Sequence, residues 1–207
     1  SPYDIVDTLC LVTDVGTVSD NTFNQYANEG MEELSDDYDG VQTSYVETTN
    51  PENYAINIQT CLDRDADVVI TVGFSLTEAT LASAQNNSDV IFIGIDQDVA
   101  SIENTPSNFV GIQAAEDEAG FLVGVIAATL ANEVNANVIA GVYGINVPAV
   151  KRFRNGYEQG ALYINPEWEI GVNILGQYTD SFIDTDLGAS IAQDYIDAGA
   201  VVIFGAG

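Results

Sequence analysis

Histidine is absent from this chain, and lysine and arginine together number four against 32 aspartates and glutamates. Without imidazole, Ser-His-Asp and Cys-His catalysis and the common zinc ligand sets are excluded. With so few cations, nucleic acid and anionic membrane surfaces are poor partners, because phosphate contacts need Lys and Arg. The formal net charge of −28 fits a solvated acidic surface in a salty or extracellular medium. The acids are spread along the chain without a D-x-D-x-D-G loop, so no calcium store, metal or cofactor is expected. No uninterrupted apolar run reaches the roughly 18 residues of a membrane span. The nearest, Ala119 to Ala131, carries two glycines and reads as a core helix. The only cysteines are Cys10 and Cys61. Both lie in apolar surroundings and are expected as buried free thiols; a disulfide between them stays open. No signal or transit peptide is visible at Ser1, and the start reads as a mature or trimmed end.

What is present is 207 residues, 46% of them apolar, enough for one large domain or two lobes. Buried apolar runs such as DADVVITVGF and DVIFIGIDQD alternate with amphipathic stretches of about 10–17 residues, the pattern of parallel strands with helices on both faces. The fold class is therefore α/β. Helices are expected from Phe23, from Tyr54, over 76–85, 116–131, 148–164 and 184–198. Strands are expected over 7–14, 41–47, 65–74, 89–98, 107–113, 137–143, 169–175 and 200–204. The polar stretch 132–137 is the one plausible junction and hinge, separating an N-terminal lobe of residues 1–133 from a second lobe of residues 138–207.

In open parallel sheets, ligands sit beyond the carboxyl ends of the strands. There the sequence places Asp14, Gly16, Thr17, Asp20, Phe23 and Asn24, then Gly73, Phe74 and Ser75, then Asp96 and Asp98. In the second lobe it places Gly144, Asn146, Phe153, Gly176 and Gly205. Carboxylates and amides with phenylalanine rings suit a neutral, planar, hydroxylated ligand such as a nucleoside. No G-x-G-x-x-G or Walker loop is present for a phosphorylated one. Plainer roles stand beside these. Asp20 can be a helix N-cap, Phe23 the head of a core stripe, and Asp96 and Asp98 solvated strand ends. Two acids across a cleft would also serve a glycosidase.

Several blocks resemble the basic membrane protein family, the substrate-binding lipoproteins of ABC transporters that include purine-nucleoside receptors. They are VTDVGTVSDNTFNQYANEGMEEL (12–34), DVVITVGF, VIFIGIDQD, NFVGIQAAEDEAGFLVGVIAA, VPAVKRFRNGYEQGALYINP and AGAVVIFGAG. The resemblance implies a type I periplasmic-binding-protein-like fold, two lobes each a parallel sheet flanked by helices. It implies a non-enzymatic extracytoplasmic receptor, at the cell surface or in the periplasm, with a lipid-anchored precursor and an ABC permease as membrane partner. A purine base would lie between Phe23 and Phe153. Asp96 would read the base edge, with polar contacts from Asp14 and Asn24 and close backbone approach at Gly73, Phe74 and Ser75. Family members continue beyond Gly207, so the second lobe reads as incomplete, and exposed sheet edges would then favour self-association. Two other classes remain open: a nucleoside or sugar hydrolase using Asp14, Asp20 and Asp96, and a ligand-sensing module of a signalling protein.

Three of the four cations, Lys151, Arg152 and Arg154, surround Phe153 near the start of a helix, where the dipole does not favour them. They are expected either to pair with acids of the facing lobe along a cleft rim or to pair locally, with Glu158 or other acids of their own lobe.

Overall fold

A computed structural model describes residues 6–164 and 171–206. The chain divides into two compact units, Ser1–Ala114 and Ala115–Gly207.

The first unit contains strands β1 (Thr8–Val15), β2 (Gln42–Thr48), β3 (Val68–Val72), β4 (Ile91–Ile95) and β5 (Phe109–Ile112). Its helices are α1 (Phe23–Asp37), α2 (Tyr54–Leu62) and α3 (Thr77–Asn86). The strands form one sheet in the order β2-β1-β3-β4-β5, every neighbouring pair parallel. Alternation along the strands sorts side chains onto two faces. Leu9, Leu11, Val68, Ile70 and Val72 meet Met31 of α1 on one face. Cys10, Val12, Val69, Phe92 and Phe109 meet Tyr54, Ile58 and Cys61 of α2 and Ala84 of α3 on the other. β3 is buried along its whole length, as a central strand covered on both faces must be.

The cysteines are not free thiols. Cys10 on β1 and Cys61 on α2 form a disulfide, and both are fully buried. Sequence spacing alone does not reveal that the α2 stripe packs on the β1 face carrying Cys10.

The second unit contains α4 (Glu116–Glu133), β6 (Val138–Tyr143), α5 (Pro148–Ile164), β7 (Asn173–Tyr178), α6 (Thr185–Asp197) and β8 (Val202–Ala206). Its three strands run β7-β6-β8, all parallel. β7 begins later than the strand expected over 169–175, whose first two positions lie outside the described residues.

The division of the chain differs from the one read in the sequence: α4 packs with the second unit. Gly120 and Gly124 of α4 face Gly156 and Gly160 of α5. A Cβ on Gly120 or Gly124 would overlap the carbonyl oxygens of Phe153 and Tyr157, and one on Gly156 or Gly160 those of Asp117 and Phe121. Only bare backbone allows the two helices this approach, which brings Cα–H groups against carbonyls. The polar stretch 132–137 that suggested a junction instead holds the last two residues of α4, its cap at Val134 and the turn into β6. Asn135 takes the left-handed conformation (φ 55°), a common asparagine role at helix C-termini, and the Ala136 N–H closes on the Ala131 carbonyl at 2.9 Å. The units meet in sequence at Ala114–Ala115. α4 is also not a core helix all round: Leu122, Ile126 and Leu130 are 62%, 56% and 46% exposed.

Candidate functional site

In the first sheet, the chain leaves β1 for β2 on one side and reaches β3 on the other. The carboxyl ends of β1 and β3 therefore flank a topological switch point. Asp14 lies at the end of β1, and Gly73 directly follows β3.

Asp14 is held from three directions. Its N–H donates to Asn24 Oδ1 at 3.0 Å. Its Oδ1 accepts from the Val15 N–H at 2.7 Å and from the Tyr54 hydroxyl. Its Oδ2 lies over Gly73, where a Cβ would stand 2.5 Å from it. Gly73 has φ 95°, a conformation that also favours glycine. Burial, and then the bond to Asp14 and its charge, push the Tyr54 hydroxyl far above the usual phenol range. Tyr54 thus stays protonated and donates its hydrogen bond to Asp14 at any ordinary pH.

Asn24 is buried and has both polar ends engaged, its Nδ2 donating to Asp20 Oδ2 at 2.9 Å. Asp20 Oδ1 accepts from the N–H groups of Thr22 at 2.8 Å and Gln25 at 3.1 Å. Burial alone would raise the Asp20 pKa, but the hydrogen bonds from Thr22, Gln25 and Asn24 outweigh it and hold the carboxyl below its ordinary value. The N-cap of α1 is Thr22, not Asp20; Asp20 stands two residues earlier and ties the Thr22 and Gln25 N–H groups from outside the helix.

Phe23, the first residue of α1, is 58% exposed and is not part of the core. With Thr22, Tyr26, Ala27 and Ile95 it lines an open depression of about 470 Å³. Phe74 and Ser75 open a short 3-10 turn after Gly73, both exposed. Asp96, half-buried after β4, takes φ 59°, and its N–H donates to the Ile112 carbonyl at 2.8 Å. Between the two acids of DQD lies the fully buried Gln97. Its Nε2 donates to Thr71 Oγ1 and to the Gly73 carbonyl, each at 3.0 Å. The first unit thus brings Asp14, Asn24 and Gly73 into direct contact.

Sequence pattern does not single out Tyr54 and Gln97 as site residues. Tyr54 is visible there only as one member of an apolar helical stripe, and Gln97 as a polar residue between acids. No periodicity distinguishes a buried ring whose hydroxyl emerges at a strand end.

Phe153 belongs to the second unit. It is half-buried on α5, with its ring edge-on to Phe204 at 6.2 Å. Phe204 in turn stacks on Tyr157 at 5.1 Å. The flanking arginines pair within this unit. Arg152 Nε donates to Glu116 Oε2 at 2.7 Å, with the Glu116 side chain 4% exposed. Arg154 Nε donates to Glu158 Oε1 at 2.8 Å, one helical turn on, and the guanidinium lies 5.4 Å and 5.2 Å from the Tyr143 and Tyr178 ring centroids. Local pairing is found for Arg154; Arg152 pairs with Glu116, which the sequence alone assigns to the N-terminal lobe and the structure places in the second unit. Glu116 lies on α4, so the Arg152 pair ties α4 to α5.

Among the described residues, no group of three or more His, Cys, Asp or Glu side chains is placed to hold a metal ion. No described helix is long and apolar enough to cross a membrane.

The parallel sheets flanked by helices are those of solute-binding proteins. A crystal structure of a solute-binding protein of an ABC transporter system from Aeropyrum pernix K1 superposes with a TM-score of 0.81 at 24% identity, covering 96% of this chain and 54% of that one. The fold is thus periplasmic-binding-protein-like. The family model for PnrA-like substrate-binding proteins of ABC transporters, Bmp, matches residues 8–207, and the chain belongs to that family. An uncharacterised lipoprotein of Pyrococcus abyssi (strain GE5 / Orsay) is 31% identical over 95% of this chain and 48% of its own length. The ABC transporter nucleoside-binding protein BmpA of Lactococcus lactis subsp. cremoris (strain MG1363) is 28% identical over 94% of this chain and 53% of its own. The chain spans about half the length of these curated relatives.

Proposed function

We propose that this chain binds a purine nucleoside, or a similarly neutral planar and hydroxylated molecule, as the extracytoplasmic receptor of an ABC transporter. The observation that carries the reading is Asp14. One oxygen is saturated by Val15 and Tyr54, and the other is held over a glycine at the switch point, ready to accept from a ligand N–H or O–H. Phe23, exposed at the head of α1, supplies a face for a flat ring, and Phe153 on α5 a further ring. Asp96 reads the base edge, the backbone at Gly73, Phe74 and Ser75 allows close approach, and Asn24 fixes the strand end beneath. The role is delivery to a membrane permease, with no chemical turnover. The buried disulfide favours an oxidising, extracytoplasmic compartment, and the Pyrococcus abyssi relative is named a lipoprotein.

A thermal-shift screen with adenosine, guanosine, inosine, the free bases and simple sugars tests this. Stabilisation by nucleosides, with the ligand recovered intact, is expected. Stabilisation by sugars alone would replace the nucleoside reading, and release of free base would turn it towards a hydrolase.

A further inference from the structure

We infer that Tyr54 is a positioning residue for the ligand, acting through Asp14, and that it makes the site selective for groups that donate hydrogen bonds. The inference rests on the nucleoside-receptor reading. Asp14 Oδ1 accepts from the Val15 N–H and from the Tyr54 hydroxyl, whereas no described residue donates to Oδ2. A carboxylate with one oxygen doubly occupied cannot rotate without breaking both bonds. The lone pairs left on Oδ2, which packs against the bare Gly73 Cα, are therefore fixed in direction. A ligand atom arriving there must bring an N–H or O–H, because an acceptor would meet a second acceptor.

The fold secures Tyr54 at both ends of its helix. Cys10 and Asp14 are four residues apart on β1, and both reach α2, Cys10 through Cys61 and Asp14 through Tyr54. Tyr54 and Cys61 are seven apart on α2, two turns, and share one helical face. The same pair of elements is thus joined twice, by the disulfide at one end and by the Tyr54–Asp14 hydrogen bond at the other. The covalent link limits any drift of α2 that would withdraw the hydroxyl. Tyr54 is itself 7% exposed, so its contribution runs through Asp14.

The test is a double-mutant cycle read by equilibrium binding of inosine and guanosine, using the intact disulfide-bonded chain. Tyr54→Phe keeps the ring and removes the hydroxyl. It is expected to weaken nucleoside binding about tenfold in the native background, and by less than twofold in an Asp14→Asn background. A purely structural tyrosine would weaken both backgrounds by the same factor, and that result would overturn the inference. So would unchanged affinity in Tyr54→Phe alone, with the nucleoside-receptor reading left standing. Failure of the native chain to bind either nucleoside would remove that reading, and this inference with it.

Discussion

Gly73 and Phe23 carry opposite kinds of information at the residue scale. Gly73 is defined by what cannot be there. An added Cβ would sit 2.5 Å from Asp14 Oδ2, at a backbone φ of 95° that costs a non-glycine residue on the order of 1–3 kcal/mol. Gly73→Ala is therefore expected to lower the melting temperature and to cut nucleoside affinity at least tenfold, because the methyl displaces the carboxylate it should leave in place. Denaturation and titration of the same sample check both effects. Phe23 is defined by what it offers. It is 58% exposed, so Phe23→Ala should cost stability less than about 1 kcal/mol. Loss of stacking on a base is worth about 1–3 kcal/mol, so affinity should fall roughly 5- to 150-fold. A variant that loses stability and binds normally would return Phe23 to the core stripe that periodicity allowed. The exposure that decides this is invisible in the sequence, since the first residue of an amphipathic helix can face either way.

Element order was legible because a strand buried on both faces must be an unbroken apolar run, and this chain has several separated by helical periods. What was not legible is which elements pack together. Nothing local says that Gly120 and Gly124 face Gly156 and Gly160, yet this match places α4 in the second unit. A polar run such as Asn132–Asn137 serves a helix terminus as well as a linker, and only the hydrogen bonds at Asn135 and Ala136 decide. The disulfide is the same kind of fact. Cys10 and Cys61 lie 51 residues apart in sequence, and closing a loop of that length stabilises by about 4 kcal/mol in the chain-entropy account. Reduction should therefore lower the melting temperature of the first unit by on the order of 10 °C. Because both cysteines are fully buried, the native protein should resist dithiothreitol until α2 opens. Thiol titration against time, with and without mild denaturant, measures this. Rapid reduction of the native state would show that α2 does not hold Tyr54 as tightly as the geometry implies.

Across the whole molecule, charge dominates. Four Lys and Arg can neutralise at most four of 32 carboxylates, so the folded chain concentrates a large negative surplus on one surface. Self-repulsion of this kind opposes compaction, and salt relieves it: the screening length falls from about 10 Å at 0.1 M to about 3 Å at 1 M. One such cluster lies in α1. Glu32, Glu33, Asp36 and Asp37 are exposed in its last turns, at the negative end of the helix dipole, and no basic residue stands there. Asp36 and Asp37, in the last turn, each cost roughly 0.3–1 kcal/mol at low ionic strength. The melting temperature is therefore expected to climb steeply between 0.1 and 1 M NaCl and then flatten, with MgCl₂ reaching the same plateau at lower concentration. Replacing Glu33, Asp36 and Asp37 with the corresponding amides should raise stability in dilute buffer and reduce the salt dependence, while stability at 1 M NaCl changes little. A melting temperature indifferent to salt, or amide substitutions that destabilise in dilute buffer, would mean that these acids make favourable contacts and that the surplus charge is not what sets the stability of this chain.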